Sequence, residues 1–133
     1  MNLENEKILI EKYPKIFQDY DGDPYKTCMT RGFECGDGWF NIIDSLCEKI
    51  QLQCFKFSVM SDDPRTRQAI ALQVKEKMGG LVFYIKNGEK EFYELIDEAI
   101  DESYITCEIC GSVENVSTNL NGRIQTLCDK CRG

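Results

Sequence analysis

Four cysteines stand in two matched pairs within CEICGSVENVSTNLNGRIQTLCDKC, from Cys107 to Cys131. The pattern is C-x2-C, a gap of seventeen residues, then C-x2-C. Two residues between cysteines let both thiolates reach one ion, and two such pairs supply the four ligands of a tetrahedral zinc site. Gly111, directly after Cys110, suits the left-handed conformation that a knuckle requires. Between the pairs, NVSTNL and RIQTL flank Asn121-Gly122, a two-residue hairpin signal. The expected unit is knuckle, hairpin, knuckle: a zinc ribbon holding one structural ion through Cys107, Cys110, Cys128 and Cys131. A treble-clef arrangement would carry its second pair on a helix, and only Arg132 and Gly133 follow Cys131. A tail this poor in apolar residues cannot bury a core, so the ion must supply its folding energy. The competing reading is four reduced cysteines with no metal.

The remaining cysteines, Cys28, Cys35, Cys47 and Cys54, are separated by six, eleven and six residues and form no knuckle. They read as small buried apolar side chains, with a second four-cysteine site as the alternative. Eight cysteines in 133 residues point to metal or buried thiols where thiols stay reduced. A cytoplasmic location is expected, because the opening MNLENEKILIEKYP lacks the apolar centre of a signal peptide. No apolar run reaches the roughly 18–20 residues of a membrane span.

The formal charge is −7. Residues 107 to 133 hold three acids and three bases, so the preceding 106 carry the whole excess, 20 acids against 13 bases. An acidic body with a neutral tail is a poor match for a phosphate backbone and suits a basic protein surface. The charge distribution therefore favours a protein partner over nucleic acid. Arg65 and Arg67 with Lys75 and Lys77 form either a small anion patch or a solvated face.

Upstream, the pattern is that of an α+β body over residues 1–104, followed by the tail at 105–133. A short helix begins the chain, with Leu9 and Tyr13 on one face and Pro14 to end it. Asp19, Asp21 and Asp23 alternate as in a calcium loop, but its sixth and twelfth positions hold Pro24 and Thr30, so the segment reads as a turn. Trp39, Ile42, Ile43, Leu46, Cys47 and Ile50 recur at helical spacing, with Asp37 placed as N-cap. Phe55, Phe57 and Val59 alternate like a strand closed by SDDP. The stretch PRTRQAIALQVKEKMGG is ambiguous, since Ile70, Val74 and Met78 fit a helix while Leu72 to Lys75 fit a strand. A strand over Leu81–Ile85, a turn at Asn87-Gly88 and a helix from about Glu89 to Ser103 complete the body. The predicted architecture is a small sheet packed by two or three helices, with the ribbon appended.

No catalytic constellation stands out. The chain has no histidine, no phosphate-binding loop and no nucleophile elbow. The C-G-D-G-W stretch offers Cys35, Asp37 and Trp39 as a candidate ligand site or as a structural motif at the start of a helix, and the structural role explains each residue more simply. A zinc held by four cysteines has no open position and is structural in most cases.

Taken in order, CGDGWFNIIDSLC, QVKEKMGGLVFYI and CEICG…IQTLCDKC resemble a group of small proteins frequent in tailed-phage and prophage genomes. The resemblance runs from about Tyr13 to Cys131. The middle motif of the group commonly reads V-K-E-K-F-G-G-L-R-F-Y, and here Met78 replaces the aromatic residue and Val82 the arginine. The resemblance implies a phage accessory protein and a zinc tail, and it carries over no activity. Three functions follow as expectations: a zinc-stabilised binding module acting on a host or phage protein, a nucleic-acid-associated zinc ribbon, or a small-ligand protein or enzyme centred on Asp37 and Trp39.

Overall fold

The longest element, helix α2 (Phe40–Met60), carries the stripe that organises the body. Its buried residues Ile42, Ile43, Leu46, Cys47 and Ile50 follow the expected helical spacing. The computed structural model describes residues 1–60 and 68–133; Arg65, Arg67 and the SDDP segment lie outside the described residues.

The strand expected at Phe55–Val59 is instead the last part of α2. Three alternating residues are a short signal, and the helical stripe outcompetes it. Ile50, Cys54 and Phe57 lie four and three apart, and Phe57 meets the ring of Phe92 edge-on at 5.7 Å. Phe55 and Val59 then fall on the opposite, exposed side.

Helix α1 (Leu3–Lys12) begins at Asn2, whose side chain accepts the backbone N–H of Asn5, and it stops before Pro14 as expected. Strand β1 (Phe33–Glu34) pairs parallel with β2 (Ile70–Lys77), which pairs antiparallel with β3 (Gly80–Lys86). Within the described residues, the ambiguous segment is thus a strand from Ile70 to Lys77. A register shift between Ala71 and Gln73 explains the mixed signal, because it breaks the alternation and lets Ile70, Ala71 and Val74 all turn inward. Lys77 pairs with Gly80, so Met78 and Gly79 make a two-residue turn with φ of 54° and 86°, the signs that such a tight hairpin demands.

Helix α3 (Lys90–Ser103) buries Phe92, Ile96 and Ala99 and packs on α2 and β3. The core so enclosed joins Leu9, Phe17, Phe33, Trp39, Val74 and Phe83. Ring contacts at 4.9 Å (Phe17 with Phe33) and 6.4 Å (Phe17 with Phe83) tie the loop after α1 to the sheet. The tail follows as a second, two-stranded sheet of β4 (Val116–Thr118) and β5 (Thr126–Cys128), ending in the single turn α4 (Asp129–Arg132). The class is α+β, as expected.

One buried charge holds α1 to the sheet. Glu6 is 6% exposed, and its carboxylate accepts the N–H of Phe33 at 2.7 Å and the hydroxyl of Tyr20 at 2.9 Å. Gly32, at φ 73°, leaves room for it. Removing one partner of a buried bond costs the desolvation of the other. Glu6→Ala should lower stability by about 2–3 kcal/mol in urea denaturation; a loss under about 0.5 kcal/mol, the size of an ordinary surface change, would contradict this role.

Candidate metal centre

The first cysteine pair sits in a tight loop. Gly111 N–H donates to Cys107 O at 2.9 Å, and Cys107 N–H to Ser112 O at 2.8 Å, which curls the chain around the two sulfurs. Gly111 has φ 79°, the left-handed value expected of it. The second pair is built differently from the expected knuckle. Cys128 ends β5, opposite Val116, and Cys131 rides on the α4 turn. Asp129–Arg132 supply one helical turn, which is enough to bring Cys131 beside the other three sulfurs.

The hairpin joining the pairs is present, but its turn is wider than Asn121-Gly122 suggested. The ladder ends at Thr118–Thr126, and Asn119 closes the loop: its amide donates to Asn121 O and Arg123 O, and its carbonyl accepts Gln125 N–H. Gly122 keeps φ 70° at the tip.

The four sulfurs of Cys107, Cys110, Cys128 and Cys131 lie within 4.8 Å of one another, with Cys110 and Cys128 at 3.6 Å. Such a cluster could hold a metal ion. Burial would push the Cys107 thiol up, but N–H groups of Cys110, Cys128 and Ile109 aimed at its sulfur bring it down to about 6. Cys131 moves the other way, up to about 12, because its proton is held by Cys128 and then by its own desolvation and the other two sulfurs. Four sulfurs this close cannot all be anionic without a cation among them. Among the described residues, Cys28, Cys35, Cys47 and Cys54 belong to no such cluster. Cys47 is fully enclosed, and burial holds its thiol well above the ordinary value. Burial likewise pushes the Cys35 thiol up to about 12.

The cluster is seated in the body through C-G-D-G-W. Gly38 N–H donates to Glu108 O at 2.7 Å, and Gly36 N–H to the Glu108 carboxylate at 2.8 Å. The two backbones approach so closely that a Cβ on Gly36 or Gly38 would stand less than 3.0 Å from the main chain of Glu108 or Cys107. Burial pushes the Glu108 carboxyl up against the pull of Gly36. Trp39 has no exposed surface, and its indole N–H donates to Thr106 O at 3.0 Å. On the far side of the tail, the Thr126 hydroxyl donates to Gly79 O at 2.6 Å, and Glu108 N–H donates to Thr126 O at 3.0 Å.

Asp37 is not the N-cap of α2. Gly36 stands at the start of the 3-10 turn Asp37–Trp39 without any side-chain cap. The Asp37 carboxylate faces the start of α1 instead, accepting Asn2 N–H at 2.8 Å and the Asn5 amide at 3.1 Å, bonds that hold its carboxyl below the ordinary range. Cys35, Asp37 and Trp39 are therefore committed to different partners: a buried pocket, α1 and the tail. The seam between Gly36–Trp39 and Thr106–Glu108 escaped sequence reasoning. Its only signal was two glycines flanking an aspartate, where the need is close approach.

No protein-family model matches the chain, and no curated protein or solved structure is significantly similar to it.

Gly38→Ala should force the tail off its seat, moving the emission of the sole tryptophan to longer wavelength. Gly122→Ala, with open space around it, should cost only the roughly 1–2 kcal/mol of a left-handed residue and leave that emission in place. Equal spectra for the two variants would contradict the seam.

Proposed function

We propose that Cys107, Cys110, Cys128 and Cys131 hold one structural zinc ion, and that the protein is a zinc-stabilised binding module. Convergence of four sulfurs carries the metal reading. Zinc–sulfur bonds of about 2.3 Å in a tetrahedron set sulfurs about 3.8 Å apart, close to the 3.6 Å between Cys110 and Cys128. An all-thiolate donor set selects zinc over hard cations such as calcium or magnesium. With four protein ligands no position is left for water or substrate, so the ion supplies folding energy and not chemistry.

Around it, the residues of the C-G-D-G-W candidate site are occupied. Cys35 is buried, Trp39 is enclosed, and Asp37 is bonded to Asn2 and Asn5. This supports a binding function over the enzyme or small-ligand alternative at Asp37 and Trp39. The tail is also poorly equipped to hold nucleic acid: the Arg132 guanidinium is engaged by Ser117 and Leu127, leaving Arg123 and Lys130. A net charge of −7 favours a partner with a basic surface. Together with the likeness to phage and prophage proteins, this describes an accessory factor acting on a host or phage protein in a reducing cytoplasm.

Native mass spectrometry should find one zinc per chain and none in Cys107→Ser; unchanged metal in that variant would refute the centre. Affinity capture from bacterial lysate should recover a basic protein that elutes as salt rises, because the attraction is screened. Recovery of nothing beyond a control bait would refute the binding role.

A further inference from the structure

The sheet has a second face, away from the core, and its composition is unlike that of the protein as a whole. Along β2, Gln73, Lys75 and Lys77 alternate onto this face, while Val74 between them is buried. Their partners across the ladder, Tyr84 for Gln73 and Val82 for Lys75, lie on the same side, and Lys86 follows two residues after Tyr84. No acidic residue of β2 or β3 shares it. Glu34 of β1, paired with Lys75, is the one acid its strands contribute.

A shallow groove of about 490 Å³ runs along this face between the loop holding Tyr25 and Lys26 and the Tyr84 side chain, with Gln73 in its lining. Tyr25 is 97% exposed and Tyr84 52% exposed. Neither ring packs into the core. Lys26 is the only charged residue of the lining. Among the described residues, Lys26, Lys75 and Lys77 make no ion pair, whereas Lys86 is answered by Asp19 at 3.1 Å. Asp21 and Asp23 precede Tyr25 in the same loop, and Asp23 is bonded to Tyr25 N–H.

Two solvent-facing aromatic rings beside uncommitted ammonium groups match one ligand chemistry above others. The rings offer flat faces for a base to stack on, and the lysines offer counter-charges for phosphate. Lys75 and Lys77 project roughly 6.7 Å apart, two strand residues, so they can take successive charges along an extended ligand. The Gln73 amide, between them and the tyrosines, can both donate and accept at a base edge.

We propose that this groove binds a phosphate-bearing nucleobase, either a free nucleotide or a nucleotide of a single strand, stacked on Tyr25 and Tyr84 with its phosphates toward Lys26, Lys75 and Lys77. The site shares no residue with the cysteine cluster and stands independently of the zinc reading. With only three lysine contacts to phosphate, the association is weak at physiological salt and strongest at low salt.

The test uses the full chain and a fluorescein-labelled single strand of about 12 nucleotides, the span of a small single-strand site. Anisotropy should rise at low salt and fall as salt increases, with a slope of roughly −2 for three lysine contacts. Tyr84→Ala and Tyr25→Ala should each weaken binding roughly 5- to 150-fold, and Lys75→Glu combined with Lys77→Glu should abolish it, all without moving the thermal midpoint. Competition by a mononucleotide would identify a free-nucleotide site; failure of the mononucleotide to compete, with the oligonucleotide bound, would identify a strand site. Absence of binding by either ligand at low salt would overturn the proposal. So would binding that survives the tyrosine variants but is lost in Arg123→Glu, or equal displacement by an acidic peptide of the same charge.

Discussion

Two stretches of backbone, Gly36–Gly38 and Cys107–Glu108, lie against one another without room for a single side-chain carbon between them. Much else in the molecule depends on that contact. It sets Trp39 at the junction of body and tail, where its ring is buried and its N–H meets Thr106 O. The Glu108 carboxylate is fixed on Gly36, and the cysteine loop is thereby fixed to the start of α2. Asp37, projecting between the two glycines, reaches in the opposite direction to Asn2 and Asn5, so α1 is gathered at the same point. Thr126 and Gly79 close the other side. The three motifs, C-G-D-G-W, the Met78-Gly79 turn and the first cysteine pair, are distant in sequence and meet in one place. A metal ion among the four sulfurs would therefore order more than the tail's own loop: it would hold the surface that covers Trp39.

Legibility in the sequence follows the range of each interaction. The cysteine cluster was readable because its spacing is local and its chemistry specific. The first half of α2, the β3 strand and α3 were readable because one periodic pattern covers each. Where two patterns overlapped, the reading failed. Phe55, Phe57 and Val59 alternate, yet Ile50, Cys54 and Phe57 continue a helix, and the core contact with Phe92 decides between them. In β2 a bulge destroyed the period that would have identified the strand. Asn121-Gly122 implied a tighter turn than the one that Asn119 organises with its own side chain. Glu6 carried no sequence signal and Asp37 was misassigned, since a helical glutamate looks solvent-facing and an aspartate before an apolar run looks like a cap. Their partners lie 27 and 35 residues away.

Charge gives the same lesson at a larger scale. A total of −7 argues against phosphate ligands for the molecule as a whole. The fold then sorts its charges, placing Lys75, Lys77 and Lys86 on one open sheet face while acids crowd the helices. Alternation along β2 and β3 does this sorting, and it could not be read while β2 was ambiguous. Whether the acidic exterior or the lysine face determines association then depends on ionic strength, because the long-range repulsion is screened within about 8–10 Å at physiological salt.

Whether a metal held by the four cysteines keeps the tail seated on Trp39 is tested most directly by the fluorescence of that sole tryptophan. It is followed while a chelator strips the purified protein, with far-ultraviolet circular dichroism recorded in parallel. If the seam depends on the ion, emission moves to longer wavelength in step with metal loss, helical signal from the body largely persists, and added zinc reverses the change. An emission maximum that stays in place after the metal has gone would show that the seam stands without it and contradict a metal-dependent seat for the tail.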